Sequence, residues 1–155
     1  MTRPSDVATS AEAVDQWVAI HDCQDIVVRF MGCFDMRSWR AMESHVTQDI
    51  VWQRPDQTIT GLMQLRETLQ ATPDTVRVRH VITNFQATRL SETRMLIESY
   101  FTVFRVTAQT SSPTETLPCE GPVSMGRYRD EMVKLSVGWR IARKQTFVDF
   151  RRTQP

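Results

Sequence analysis

The main change in the spacing of apolar residues along this chain falls at Val76, and this change limits the folds that the chain can adopt. Between Val14 and Phe34, apolar residues recur every three or four positions, which is typical of a helix with one buried face. From Val76 onward, apolar and polar residues tend to alternate, which is typical of half-buried strands. Helices followed by a run of strands predict an α+β fold, with the helices covering one face of a mainly antiparallel sheet.

Capping and turn residues mark the boundaries of three predicted helices. Thr9 and Glu12 have the spacing of a capping box, so the first helix is expected to start there. Ser38 is a suitable cap for a short second helix. A third helix is expected to begin after Gly61 and to end before the turn at Pro73. The β-branched and aromatic residues of segment 49–53 predict a strand between the second and third helices.

Three long strands are predicted after the one that starts at Val76. They span residues 94–106, 123–135 and 139–150. Segment 108–121 is rich in Thr, Ser and Pro and predicts a mobile loop. Residues 1–10 are expected to form a flexible N-terminus, and residues 11–152 to form a single domain.

Composition excludes several classes of partner. The 155 residues carry 19 basic and 18 acidic side chains, a formal net charge of +1, so no general positive field would attract nucleic acid. No apolar run approaches the roughly 20 residues that a membrane-spanning helix needs. The N-terminal residues lack the apolar core of a signal peptide, so we expect a cytoplasmic protein. The three cysteines lack metal-ligand spacing and are expected to be reduced thiols.

Asp35 and His80 are the candidate catalytic residues. Asp35 lies at the end of the first helical pattern, where a carboxylate opposes the helix dipole and is therefore unfavourable for helix stability. His80 alternates with Val78 and Ile82 in a strand pattern. A carboxylate that orients an imidazole can move protons on a small molecule if the fold brings the two together. The structural alternatives are a solvent-facing or capping Asp35 and a core His80.

Further polar residues are candidates for substrate binding. By strand parity, Asn84 is expected to share the face of His80. Arg54 and Arg105, if they project into an apolar cavity, require an anion, which is either an acidic substrate or a protein carboxylate. Trp52 is the aromatic residue expected to line a pocket. His21 and His45 lack partners at metal-ligand spacing, are expected at the surface, and leave no predicted metal site.

Several segments together resemble the SnoaL-like group of the NTF2-like (cystatin-like) superfamily, which includes scytalone dehydratase, polyketide cyclases and ketosteroid isomerase. The resemblance implies a cone of strongly curved sheet covered by three N-terminal helices around a small pocket. The segments are Phe34-Asp35-Met36-Arg37-Ser38-Trp39, Asp49-Ile50-Val51-Trp52, Arg79-His80-Val81-Ile82-Thr83-Asn84, Glu98-Ser99-Tyr100-Phe101, Gly126-Arg127-Tyr128-Arg129-Asp130 and Gly138-Trp139-Arg140-Ile141-Ala142.

Asp35 and His80 match the positions at which the dehydratases hold a supporting aspartate and a general acid–base histidine. Phe34 and Arg54 fall where those enzymes have tyrosines, and Arg105 falls at a second histidine. Tyr128 is a candidate to supply the phenol that is missing at Phe34. The resemblance therefore implies a lyase or isomerase without a cofactor, acting on a hydroxylated polyketide, steroid-like or aromatic substrate, and not scytalone dehydration itself.

A second resemblance suggests a non-catalytic role. The segment from Arg79 to Asn84 and the segment from Ser99 to Arg105 are also similar to β subunits of ring-hydroxylating dioxygenases, which support an iron-bearing α subunit. A small-molecule-binding protein or an accessory subunit is therefore the alternative function. Members of the family often pair through the outer face of the sheet, so a homodimer or higher homo-oligomer is expected.

Overall fold

A computed structural model describes residues 9–109, 112 and 114–153. Three helices and six strands follow one another along these residues. In chain order they are α1 (Ser10–Asp35), α2 (Trp39–Glu43), β1 (Val46–Gln53), β2 (Thr58–Thr60), α3 (Gly61–Gln70), β3 (Val76–Arg89), β4 (Arg94–Thr107), β5 (Ser124–Leu135) and β6 (Gly138–Arg151). The flexibility predicted for residues 1–10 falls mostly outside the described residues, as does part of the loop predicted at 108–121.

The strands form one sheet in the order β2-β1-β6-β5-β4-β3. β1 runs parallel to β6, and every other neighbouring pair is antiparallel. α1 packs against β3, β4 and β6, while α3 packs against β1 and β2. The α+β architecture with three helices on one sheet is therefore confirmed, and we call the helix-covered side of the sheet its inner face.

A single hydrophobic core joins α1, α3 and the inner face. Its fully buried members include Phe30 of α1, Leu65 of α3, Ile50 of β1 and Ile97 of β4. Each such side chain contributes about 1.5–3 kcal/mol through removal of apolar surface from water.

The first helix continues through Ile20 without a break. Its buried residues, Cys23, Val27, Phe30 and Met31, all lie in its C-terminal half. The expected buried face does not extend to its N-terminal half, where Val14, Trp17 and Val18 are exposed because no described strand packs there.

Bulges decide which residues of β3 face the core. The pairing of β3 with β4 shifts register between Thr83 and Gln86, and Asn84 adopts a left-handed backbone with φ of 53°. Asparagine tolerates this conformation better than most residues. The extra residue moves Phe85 onto the core side and leaves Asn84 exposed. The prediction that Asn84 shares the face of His80 is wrong, because strict alternation ends at the bulge.

A second register shift acts on β6. Glu131 pairs with Arg143 whereas Met132 pairs with Ile141, so Ala142 is the extra residue. Beyond it, Lys144 is fully buried and Arg143 is exposed. Bulges of this kind bend a strand and increase its twist, which helps a sheet to curve around its helices.

Arg37 fastens the end of α1 to the start of β3. Its backbone is left-handed, with φ of 56°, and its N–H donates to the carbonyl of Phe34 as the helix terminates. Its guanidinium donates to the carbonyls of Thr72 at 2.9 Å and Val76 at 3.0 Å, and also to that of Pro73. These bonds fix the last turn of α1 over the strand that carries His80.

Candidate active site

Asp35 and His80 are held together by two hydrogen bonds. The Nδ1 atom of His80 lies 2.6 Å from Oδ1 of Asp35, and the backbone N–H of His80 donates to Oδ2 of the same carboxylate at 2.7 Å. Both side chains are 8% exposed. Arg79 adds a hydrogen bond of 3.2 Å from its guanidinium to the backbone carbonyl of Asp35. The structure therefore brings together the two residues that the sequence separates by 45 positions.

The double contact determines what the imidazole can do. A carboxylate only accepts hydrogen bonds, so the neutral His80 ring carries its proton on Nδ1 and leaves the lone pair of Nε2 available as a base. When Nε2 takes a proton, the charge of the resulting imidazolium is balanced by Asp35. The backbone bond to Oδ2 fixes the carboxylate, so the orientation of the ring is set in advance.

Aromatic rings border the pair. The Phe34 ring meets His80 edge-on with centroids 5.3 Å apart, and it meets Trp52 edge-on at 6.4 Å. Trp52 is buried, and its indole N–H donates to the Thr146 hydroxyl at 2.9 Å. Phe30 also meets Trp52 edge-on, with centroids 5.6 Å apart. These rings form an apolar wall of fixed geometry beside the histidine.

Tyr128 presents a phenol on the same inner face. Its ring stacks on Phe101 with centroids 4.4 Å apart, and the ammonium of Lys144 lies 3.6 Å from its ring centre on the β6 side. The hydroxyl has no hydrogen-bond partner among the described residues. The pKa of Tyr128 is raised overall, chiefly by burial and also by the negative charges of Asp130 and Asp35. The positive charge of Arg54 opposes part of this rise. The phenol therefore remains a proton-bearing donor across the physiological pH range.

The buried pair of Lys144 and Asp130 was missed at the sequence level. The ammonium contacts both carboxylate oxygens, at 3.0 and 3.1 Å, and both side chains are almost completely buried. Burial raises the pKa of Asp130 and lowers that of Lys144, and each partner opposes the shift of the other. The sequence did contain a sign of this pair. Asp130 shares the strand parity of the apolar Tyr128 and Met132, and an acid on a buried strand face needs a cation as its partner.

The two candidate arginines differ in their contacts. Arg54 follows β1, pairs with Asp56 at 3.3 Å and lies over the Trp52 ring at 5.4 Å, so the protein-carboxylate alternative holds for it. Arg105 is exposed and has no ion pair or hydrogen bond with any described residue. Asn84 is also exposed, on the far side of the bulge from His80.

Other features lie away from this site. Two open surface depressions of about 640 and 900 Å³ occur at Phe147 and at Trp39, and neither is lined by Asp35, His80 or Tyr128. Within the described part of the chain, no group of three His, Cys, Asp or Glu side chains is placed to hold a metal, and no helix has the length and apolar character to cross a bilayer. His45 is half-buried rather than at the surface, and burial lowers its pKa.

The chain thus forms an α+β fold that holds a hydrogen-bonded histidine–carboxylate pair on the inner face of its sheet. The model of the SnoaL-like domain family matches residues 16–145. The chain belongs to this family, which includes cyclases and dehydratases. No curated protein matches the chain.

Solved structures of similar proteins agree on the fold. A protein from Novosphingobium aromaticivorans that is provisionally named a scytalone dehydratase superposes with a TM-score of 0.73 at 18% identity, covering 87% of each chain. An NTF2-like protein with a cystatin-like fold from the same organism gives 0.73 at 12% identity, covering 95% of this chain and 92% of the other. A third, provisionally named an aromatic ring hydroxylase, gives 0.71 at 18% identity, with 85% and 90% covered. The predicted NTF2-like fold is confirmed.

Proposed function

We propose that this protein is a lyase or isomerase that needs no cofactor and acts on a small hydroxylated carbonyl compound of polyketide, steroid-like or aromatic type. The observation that carries the proposal is the double hydrogen bond by which Asp35 orients His80 on the inner face. Membership of a family that contains cyclases and dehydratases supports the same class of reaction.

The reaction consists of proton transfers at a single imidazole. Nε2 of His80 removes a proton from the carbon next to the substrate carbonyl, and the electron pair of the broken C–H bond moves onto the carbonyl oxygen. Tyr128 donates a hydrogen bond to this developing enolate. The imidazolium, stabilised by Asp35, then returns its proton, either to a departing β-hydroxyl, which leaves as water, or to another carbon. The first outcome is a dehydration and the second an isomerisation.

Substitution of the two catalytic residues tests the proposal against a panel of β-hydroxy ketones. We expect His80→Ala and Asp35→Asn each to lower kcat by about 10²- to 10⁴-fold, the usual contribution of a positioned acid–base group. Asp35→Asn removes the charge that balances the imidazolium and one of the two acceptors. The measurement is steady-state turnover followed by loss or gain of enone absorbance.

Two surface variants serve as matched controls. His21→Ala and Asp22→Asn make the same changes of side chain on the exposed part of α1 and are expected to leave kcat unchanged. Turnover that survives both His80→Ala and Asp35→Asn would show that proton transfer does not depend on this pair.

A second candidate function is a non-catalytic binding protein or an accessory subunit. The observation that favours it is the near-complete enclosure of the pair, since His80 and Asp35 are each 8% exposed and Tyr128 is 3% exposed. In that case, native mass spectrometry of the protein isolated from its source would show a stable complex with an iron-containing chain. A proton-transfer enzyme alone would show only copies of itself.

Self-association is proposed through the outer face of the sheet. Tyr100, Met125, Phe147 and Phe150 are exposed by 39–69%. Their pairing places them together, because Tyr100 and Phe147 both pair with Arg127 while Met125 pairs with Phe150. Arg127, paired with Asp149, lies between Tyr100 and Phe147, so these four apolar side chains surround an ion pair. A surface with exposed apolar side chains of this kind suits a two-fold contact with a second copy.

A further inference from the structure

Arg105 lies on the inner face, one side-chain position beyond His80. In the ladder between β3 and β4, His80 pairs with Val103 and Val78 pairs with Arg105. Paired residues of an antiparallel ladder project to the same face, and Val103 packs against the core. Two residues along a strand span about 7 Å, so the backbone of Arg105 lies about that far along β4 from Val103, the residue that pairs with His80.

The neighbouring arginines are held by other groups, and Arg105 is not. Arg37 contacts the Val76 carbonyl, Arg54 contacts Asp56, and Arg79 contacts the Asp35 carbonyl. The guanidinium of Arg77 likewise donates to the Ser112 carbonyl. Arg105 makes neither an ion pair nor a hydrogen bond with any residue that the structure describes.

Arg105 also differs from two other cations near the site, each of which is paired with a carboxylate. Lys144 is neutralised by Asp130, and Arg54 is paired with Asp56. Among the described residues near the site, Arg105 is therefore a cation whose five N–H donors all remain available to a ligand.

We propose that Arg105 binds a carboxylate of the substrate, so that the protein acts on hydroxylated carboxylic acids rather than on neutral compounds. The inference rests on the proposed function for the reacting end of the molecule, and it adds the group at the opposite end. A planar guanidinium matches the two oxygens of a carboxylate, which fixes orientation as well as affinity. The carboxylate and the carbon that loses its proton are then separated by about two strand positions, roughly 7 Å, as in a fused-ring acid.

Binding of a carboxylic acid and of its amide tests the proposal without a known substrate. The probes are 2-naphthoate and 2-naphthamide, which have nearly the same shape and differ in charge, and the measurement is isothermal titration calorimetry at low salt. We expect the acid to bind the wild type at least about tenfold more tightly than the amide, as a charge-assisted hydrogen-bonded pair should. Arg105→Gln should abolish this preference, and Arg105→Lys should retain part of it.

Arg94→Gln is the matched control. Arg94 is an exposed arginine at the opposite end of β4, so its replacement changes the net charge equally without touching the site. The preference should be unchanged in this variant. Equal affinities for acid and amide in the wild type, no binding of the acid, or a preference that survives Arg105→Gln would each overturn the proposal.

The same titration with His80→Ala separates this inference from the proposed reaction. The preference for the acid should persist there, because the anion is held by Arg105 and not by the imidazole. A lost preference in Arg105→Gln together with unaffected turnover in His80→Ala would support the binding site while rejecting the reaction. Turnover that depends on His80, together with equal binding of the acid and the amide, would support the reaction while rejecting the binding site.

Discussion

At the scale of single residues, Tyr128 combines a fixed ring with a hydroxyl that no described residue engages. Phe101 and Lys144 hold the ring from its two sides, so the phenol does not depend on a hydrogen bond for its position. Its raised pKa keeps the proton on the phenol at neutral pH. A donor of this kind is suited to an oxygen on which charge develops during the reaction.

Replacement of Tyr128 by phenylalanine should therefore separate activity from stability. We expect kcat to fall by about 10- to 1,000-fold, because one donor to the developing enolate is lost. The free energy of unfolding should change by less than about 0.5 kcal/mol, because the folded protein loses no internal hydrogen bond. Turnover and urea unfolding measure the two effects.

Tyr100→Phe is the natural control, since the chain has only two tyrosines and Tyr100 is 43% exposed on the outer face. It should alter neither quantity. A Tyr128→Phe variant that keeps full activity would remove the phenol from the mechanism.

At the scale of elements, β5 and β6 are joined by a buried ion pair directly beneath the Tyr128 ring. Two charges in the core are unfavourable unless each satisfies the other. Removing either residue alone should therefore destabilise the protein strongly, whereas removing both together should change its stability little.

Lys144→Met should destabilise the protein by about 3–5 kcal/mol at pH 7, because it leaves the Asp130 carboxylate buried without a partner. The double variant Lys144→Met/Asp130→Leu should recover most of that loss, since both charges are absent. Chemical denaturation of the two single variants and the double variant measures the coupling. Additive effects would contradict a direct pair.

The pH dependence of Lys144→Met has a definite sign. Burial raises the pKa of Asp130, and loss of the ammonium removes the influence that opposed this rise. The folded carboxyl then holds a proton that the unfolded chain releases, so the stability of this variant should increase as the pH falls from 7 toward about 4. Arg127→Met, which breaks the exposed pair with Asp149 on the same two strands, should show little of this behaviour.

For the whole molecule, the four exposed apolar side chains on the outer face predict an association of two copies. Phe150→Glu places a charge where Phe150, 69% exposed, would be buried in the dimer, so it should convert dimers into monomers. Light scattering coupled to size-exclusion chromatography measures the mass. Met63→Glu alters an equally exposed apolar residue on α3 and should leave the mass unchanged. A monomeric wild type would refute the interface.

The sequence predicted the three helices and five of the six strands that the structure describes, and it missed the short β2 (Thr58–Thr60). Period and capping depend on neighbouring residues, so the three helices and the long strands could be located from local patterns. The local patterns left Asp35 open as a capping or solvent-facing residue and His80 open as a core residue, and it was the family resemblance that favoured them as a pair.

Which side chains face one another depends on strand pairing, and this could not be read from local patterns. The bulge at Asn84 turned that residue outward, and the bulge at Ala142 brought Lys144 inward against Asp130. One inserted residue exchanges the two faces of a strand with period two, and its position depends on the partner strand rather than on local sequence. The contacts of the two candidate arginines also differ in origin: Arg54 pairs with Asp56, two residues further along the loop after β1, whereas no described residue forms an ion pair or hydrogen bond with Arg105.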